Sequence, residues 1–179
     1  MAEDFFKAVE TALASWQPVQ YRFTMVKPVE SESLAYDDDT LSVVFVVSRK
    51  GINFTLKNKS NSPLKVDWNQ WSYVDVESKS HKVFHRGVAY KDKEASLPPS
   101  TVPPTAALED LIVPTDYVEW SNAEGGYRVL ELLPNNSAAS TLIGKTISVF
   151  MPIETNGSVK NYLFSFKVKD AQTAGKAGN

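Results

Sequence analysis

The chain carries two histidines, His81 and His85, four positions apart in His81-Lys82-Val83-Phe84-His85. On an α-helix that spacing stacks two imidazoles on one face, where they can share a metal ion. On a strand they also share a face, but they stand about 13 Å apart at ~3.3 Å per residue. Two rings that far apart cannot both reach one ion at about 2.0–2.1 Å. A second candidate is Tyr36-Asp37-Asp38-Asp39-Thr40, with three consecutive carboxylates. Calcium loops space their oxygen ligands at alternating positions and add a glycine and a distant glutamate. Asp37, Asp38 and Asp39 lack that pattern, and neighbouring side chains on an extended backbone diverge. They read as a solvated loop that keeps the following apolar strand soluble. Both candidates therefore depend on the local backbone.

Residues 1–17 are expected to form a short amphipathic helix. Phe5, Phe6, Val9, Ala12, Leu13 and Trp16 recur at helical spacing, Glu3 and Asp4 occupy the first turn, and Pro18 stops the run. From Val19 the period changes to two. Val19, Tyr21, Phe23 and Met25 alternate with polar neighbours, as do Ile52, Phe54 and Leu56, and later Tyr162, Phe164, Phe166 and Val168. Such alternation predicts half-buried antiparallel strands. Asn156-Gly157 is the strongest hairpin signal. Pro98, Pro99, Pro103 and Pro104 predict an extended crossing or an edge strand, because proline lacks a ladder donor.

The fold expected is all-β: an antiparallel immunoglobulin-like sandwich with a short N-terminal α-helix, with a jelly roll or a lipocalin-like barrel as the alternative. The domain organisation expected is helix 1–17, β-domain 18–169 and a loose tail 170–179. In this frame 81–85 runs back along a strand after the turn Glu77-Ser78-Lys79-Ser80. The pair is then a poor metal site, and each ring needs its own neighbour. Trp71 and Tyr73 share a strand face with Trp68 opposite, and these aromatics are expected in the core.

Bulk composition narrows the function classes. The chain has 179 residues, 42% hydrophobic and 22% charged, with net charge −2. That supports a folded core and gives no basic excess for nucleic acid. With no cysteine, zinc–thiolate sites, iron–sulfur clusters and thiol nucleophiles are excluded. No apolar run approaches the ~20 residues of a membrane helix, and 1–16 does not read as a signal peptide. No nucleophile elbow, phosphate loop or HExxH motif is present, so no catalytic residue and no cofactor are expected. Asn53, Asn58, Asn135 and Asn156 each open a glycosylation sequon.

From Ile52 to Val168 the sequence resembles small bacterial cell-envelope proteins, many of them candidate lipoproteins. The resemblance is carried by Asn58-Lys59-Ser60, Asp67-Trp68, Val83-Phe84-His85, the Pro98 to Pro104 crossing, Pro114-Thr115-Asp116 and Gly144 to Ile153. It implies a cell-envelope or periplasmic location and a non-enzymatic structural or protein-interaction role, with a protein partner. A signal or lipid anchor is not expected within this chain, so any membrane attachment would run through an anchor already lost. Two rival readings are open. One is a metal- or small-ligand-binding periplasmic protein using His81 and His85 or Asp37, Asp38 and Asp39. The other is an enzyme whose site is assembled between loops.

Overall fold

The computed structural model describes residues 18–173, so the expected helix at 1–17 lies outside the described residues. The strands are β1 Val19–Lys27, β2 Ala35–Asp37, β3 Leu41–Val47, β4 Ile52–Asn58, β5 Leu64–Val66, β6 Ser72–Val74 and β7 Ser80–His85. They continue as β8 Ser100–Val102, β9 Ala107–Pro114, β10 Val118–Ser121, β11 Gly126–Val129, β12 Thr146–Thr155 and β13 Ser158–Thr173. All the pairings are antiparallel.

Period-two patterning builds these strands. In β4, Ile52, Phe54 and Leu56 are buried while Thr55 and Lys57 are exposed, so one pleat face enters the core and the other meets water. β3 looks continuously apolar in sequence, yet it alternates in the same way and leaves Val44 and Val46 on the outside. The Asn156-Gly157 signal becomes a two-residue turn between paired Thr155 and Ser158. Both turn residues have positive φ, 52° and 74°, as a primed hairpin turn requires.

The main sheet follows the path β1-β13-β12-β6-β7-β9-β4-β3-β2 and is nearly closed. The finer immunoglobulin-like arrangement expected from sequence is not what this path draws. The reason lies in β7. Its Ser80–Lys82 half pairs with β6, and its Val83–His85 half pairs with β9. One strand thus hydrogen-bonds to both halves of the molecule and turns the sheet through a corner. Across the interior, Phe45 of β3 packs on Phe164 and Phe166 of β13 at 4.8 and 5.0 Å between ring centroids.

The proline-rich stretch forms β8, which pairs only with β5. This is the edge position that proline permits. Asp170 to Thr173, expected in the loose tail, pair instead with Arg22 to Val19, and residues 174–179 lie outside the described residues. After Pro134 the chain forms a 3-10 helix, Ser137–Leu142, that buries Ala139 and Leu142.

Candidate functional site

β7 is a strand, and each of its histidines has found separate partners. His81 is buried, with Nε2 2.8 Å from Asp75 Oδ2 and Nδ1 2.8 Å from Asp116 Oδ2. The ring packs between Tyr73 and Tyr117. Asp75 also accepts the backbone amides of Glu77 and Lys79. Burial raises the Asp75 pKa, but the bond to His81 and those two amides outweigh it, so the net shift is downward. His81 thus ties the β6–β7 turn to the 3-10 turn Thr115–Tyr117.

His85 lies at the far end of β7. Its ring stacks on buried Trp68, with centroids 4.0 Å apart and planes 10° from parallel. Nδ1 is 3.0 Å from Asp110 Oδ2. Because His85 pairs with Ile112 on β9, Asp110 is its diagonal neighbour on the same face. Asp110 Oδ1 accepts the amides of Arg86 and Leu111 at 3.0 and 2.7 Å. Among the described residues no group of three His, Asp or Glu side chains is placed to hold a metal ion.

Two members of the aspartate run, Asp37 and Asp38, are likewise committed elsewhere. Asp37 pairs with Lys59 at 2.6 Å. Asp38 Oδ1 accepts the amides of Thr40 and Leu41, and Oδ2 takes Lys160 Nζ at 2.7 Å and Tyr162 OH at 2.9 Å. Burial works against ionisation of Asp38. The bond from Lys160, the two amides and Tyr162 overcome it and lower the pKa from 3.8 to about 2. Tyr162 is pushed up to about 12, by burial first and then by Asp38. Lysine ammonium groups thus occupy Asp37 and Asp38, while Asp39 is exposed.

The tryptophans are placed differently from one another. Trp68 and Trp71 were expected on opposite faces, but their rings pack 4.9 Å apart in the core. The backbone from Trp68 to Gln70 is a 3-10 turn, and three residues per turn bring i and i+3 to the same side. Asp67 starts the turn by accepting the Asn69 amide. Trp120, by contrast, is 55% exposed.

Trp120 opens a site that sequence reasoning missed. β10 and β11 form a separate hairpin in which Trp120 pairs with Tyr127 and Glu119 with Arg128. One hairpin face is therefore aromatic and the other ionic, with Arg128 paired to Glu119. The Tyr127 ring meets Trp120 at 5.2 Å and Tyr90 at 6.1 Å, and Tyr90 meets Phe84 at 6.0 Å. All three contacts are edge-to-face. Phe84 forms the floor of an apolar cleft of about 390 Å³ beneath the segment His85 to Tyr90, walled by Leu111 and Val113. A row of rings thus leads from a buried floor to an exposed indole. The signal was present in sequence. A turn centred on Asn122 to Gly125 forces Trp120 opposite Tyr127 once 118–121 and 126–129 are read as strands.

The sequons are not equivalent. The Asn58 side chain is fully buried and donates to the carbonyls of Ser62 and Val102, so it acts as a structural amide. Asn156 sits exposed on its turn.

These observations define an all-β, antiparallel protein with a nearly closed sheet and an aromatic-lined cleft. No protein-family model matches the chain, and no curated protein matches it. Among solved structures, it resembles a Bacillus subtilis protein described as a "putative lipoprotein (ycdA)", at TM-score 0.44 and 16% identity, covering 77% of this chain and 39% of that one. A protein from Archaeoglobus fulgidus is similar at TM-score 0.29 and 16% identity, over 75% of this chain and 95% of that one. The chain spans well under half the length of the Bacillus protein.

Proposed function

We propose that this chain is a non-enzymatic binding module of a bacterial cell envelope, and that it engages a protein partner through the aromatic face of the β10–β11 hairpin and the adjoining cleft. The observation that carries the reading is the ring row Phe84, Tyr90, Tyr127 and Trp120, whose outer member is 55% exposed. Tryptophan and tyrosine combine a large apolar area with few rotatable bonds and dominate recognition surfaces. Here they stand on a short hairpin whose opposite face carries the Glu119–Arg128 pair, so the apolar side has no structural need to face water. The envelope location rests on the sequence resemblance over Ile52 to Val168.

Affinity capture from the envelope fraction of the source cells tests the proposal. The native chain should retain a partner that Trp120→Ala with Tyr127→Ala loses, while both proteins unfold at similar temperatures. No retained partner, together with a cytosolic location of the native gene product, would overturn it.

A further inference from the structure

Strand register fixes which side chains line the cleft. Phe84 pairs with Val113, and Asn53 pairs with Leu111. The Arg86 amide donates to the Leu111 carbonyl at 3.1 Å, so Arg86 continues the ladder opposite Leu111. Phe84, Arg86, Leu111, Val113 and Asn53 therefore share the outer face of the sheet, away from Ile52, Ile112 and the His85 ring. A turn also holds the Arg86 backbone. The Val88 amide donates to the His85 carbonyl, and Gly87 takes φ +90°, which makes Arg86-Gly87 the centre of a type II turn. The Arg86 side chain crosses Leu111 and reaches Asn53 Oδ1 at 3.5 Å, the outer limit of a hydrogen bond. Among the described residues its guanidinium forms no ion pair. Glu109 and Asp110 border the neighbouring hollow over Asn53 and Thr55, which Arg86 also lines. Arg86 is thus the one cationic side chain beside an apolar cleft of Phe84, Val88, Tyr90, Leu111 and Val113.

We propose that this cleft anchors the C-terminal residue of the protein partner. The terminal carboxylate meets the Arg86 guanidinium, and a large apolar side chain lies on Phe84, Leu111 and Val113. The inference rests on the reading of the ring row as a partner surface. The carboxylate follows from charge and shape: a planar guanidinium with open donors matches a carboxylate through two parallel bonds. A phosphate fits worse, because the cleft offers no second cation and Glu109 and Asp110 stand beside it. The chain terminus follows from the pairing of one cation with apolar walls. An apolar residue carries a carboxylate only where it ends a chain. The residues before it then leave along Tyr90, Tyr127 and Trp120.

The probes are the pentapeptide acetyl-Ala-Ala-Ala-Ala-Phe and its C-terminal amide, which differ in the charge alone. Titration of isotope-labelled protein followed by NMR should shift amides at 84–90 and 111–113. The acid should bind about 3- to 10-fold more tightly than the amide, between the worth of an exposed ion pair and that of a charged hydrogen bond. The Arg86 Nε–H resonance should move with the acid alone. Arg86→Gln should equalise the two affinities with an unchanged melting temperature, because the side chain is exposed and the backbone bonds of residue 86 stay in place. Equal affinities for the native protein, a preference for the acid that survives Arg86→Gln, or no shifts at the solubility limit would overturn the inference. A third probe, 3-phenylpropionate, carries the same ring and carboxylate without the peptide. It should bind more weakly than the pentapeptide acid, and equal binding would overturn the chain terminus in favour of a free small acid. Partner capture through Trp120 and Tyr127 is scored separately. If capture holds while the peptides fail, the C-terminal anchor falls and the binding-module reading stands.

Discussion

Asp38 shows at the scale of one side chain how the acidic run became structure. The sequence displays three adjacent carboxylates, but it gives no sign that Lys160 and Tyr162 return to meet the middle one. In the fold, Asp38 joins the β2–β3 turn to β13 through these two side chains. Its carboxyl is depressed to about 2 from an ordinary 3.8. A group whose folded pKa is lowered stabilises the fold above its unfolded pKa, and that contribution disappears as pH falls through the folded value. The melting temperature of the native protein should therefore drop between about pH 4 and about pH 2. Asp38→Asn should be less stable near neutrality by about 2 kcal/mol, since it weakens bonds to a charged acceptor. Its melting temperature should fall less steeply across the acid range. Thermal unfolding followed by circular dichroism at a series of pH values reads both effects. An unchanged acid slope in the variant would remove Asp38 from the account.

At the scale of the element, local rules predicted most of what formed. Alternation gave β1, β4 and β13, and Asn156-Gly157 closed the last hairpin. Where the reading slipped, a second local period had intruded. Trp68 followed the three-residue turn rather than the strand. Gly51, at the turn between β3 and β4, shows a constraint no local rule contains. A methyl group there would stand 2.7 Å from Leu111 Cδ1 and 2.9 Å from the Ile112 carbonyl oxygen. The leucine tip can give way, but the carbonyl belongs to the β4–β9 ladder, where Ile52 pairs with Ile112. Gly51→Ala should cost about 1–3 kcal/mol, the usual penalty for overpacking. Urea denaturation should show a lower midpoint at an unchanged slope, because the surface exposed on unfolding stays the same.

At the scale of the whole molecule, β7 matters most. It is six residues long, yet it pairs with β6 at one end and β9 at the other. Its inner face places His81 and His85 against carboxylates from different parts of the chain. The two halves of the sheet therefore cannot separate without breaking β7, and the Phe45 contacts with Phe164 and Phe166 join them again across the interior. The domain should unfold as one unit. Far-ultraviolet circular dichroism, which reads the strands, and tryptophan fluorescence, which reads buried Trp68 and Trp71, should give coincident denaturant transitions. Two separated midpoints would show that the halves are independent.

The sequence by itself determined that β1, β4 and β13 are pleated, that their pairing is antiparallel, and how far apart His81 and His85 stand once they lie on a strand. Each of these follows from side-chain period and strand rise, which are properties of a few consecutive residues. Only the tertiary structure decided which carboxylate each histidine meets, that Lys160 and Tyr162 claim Asp38, that Gly51 has no room for a methyl group, and that Tyr90 and Tyr127 line up with Trp120 beside a cleft. Those outcomes depend on strand order and on the corner at β7. Contacts between residues distant in the chain are settled by how the sheet closes, and nothing in local spacing encodes that closure.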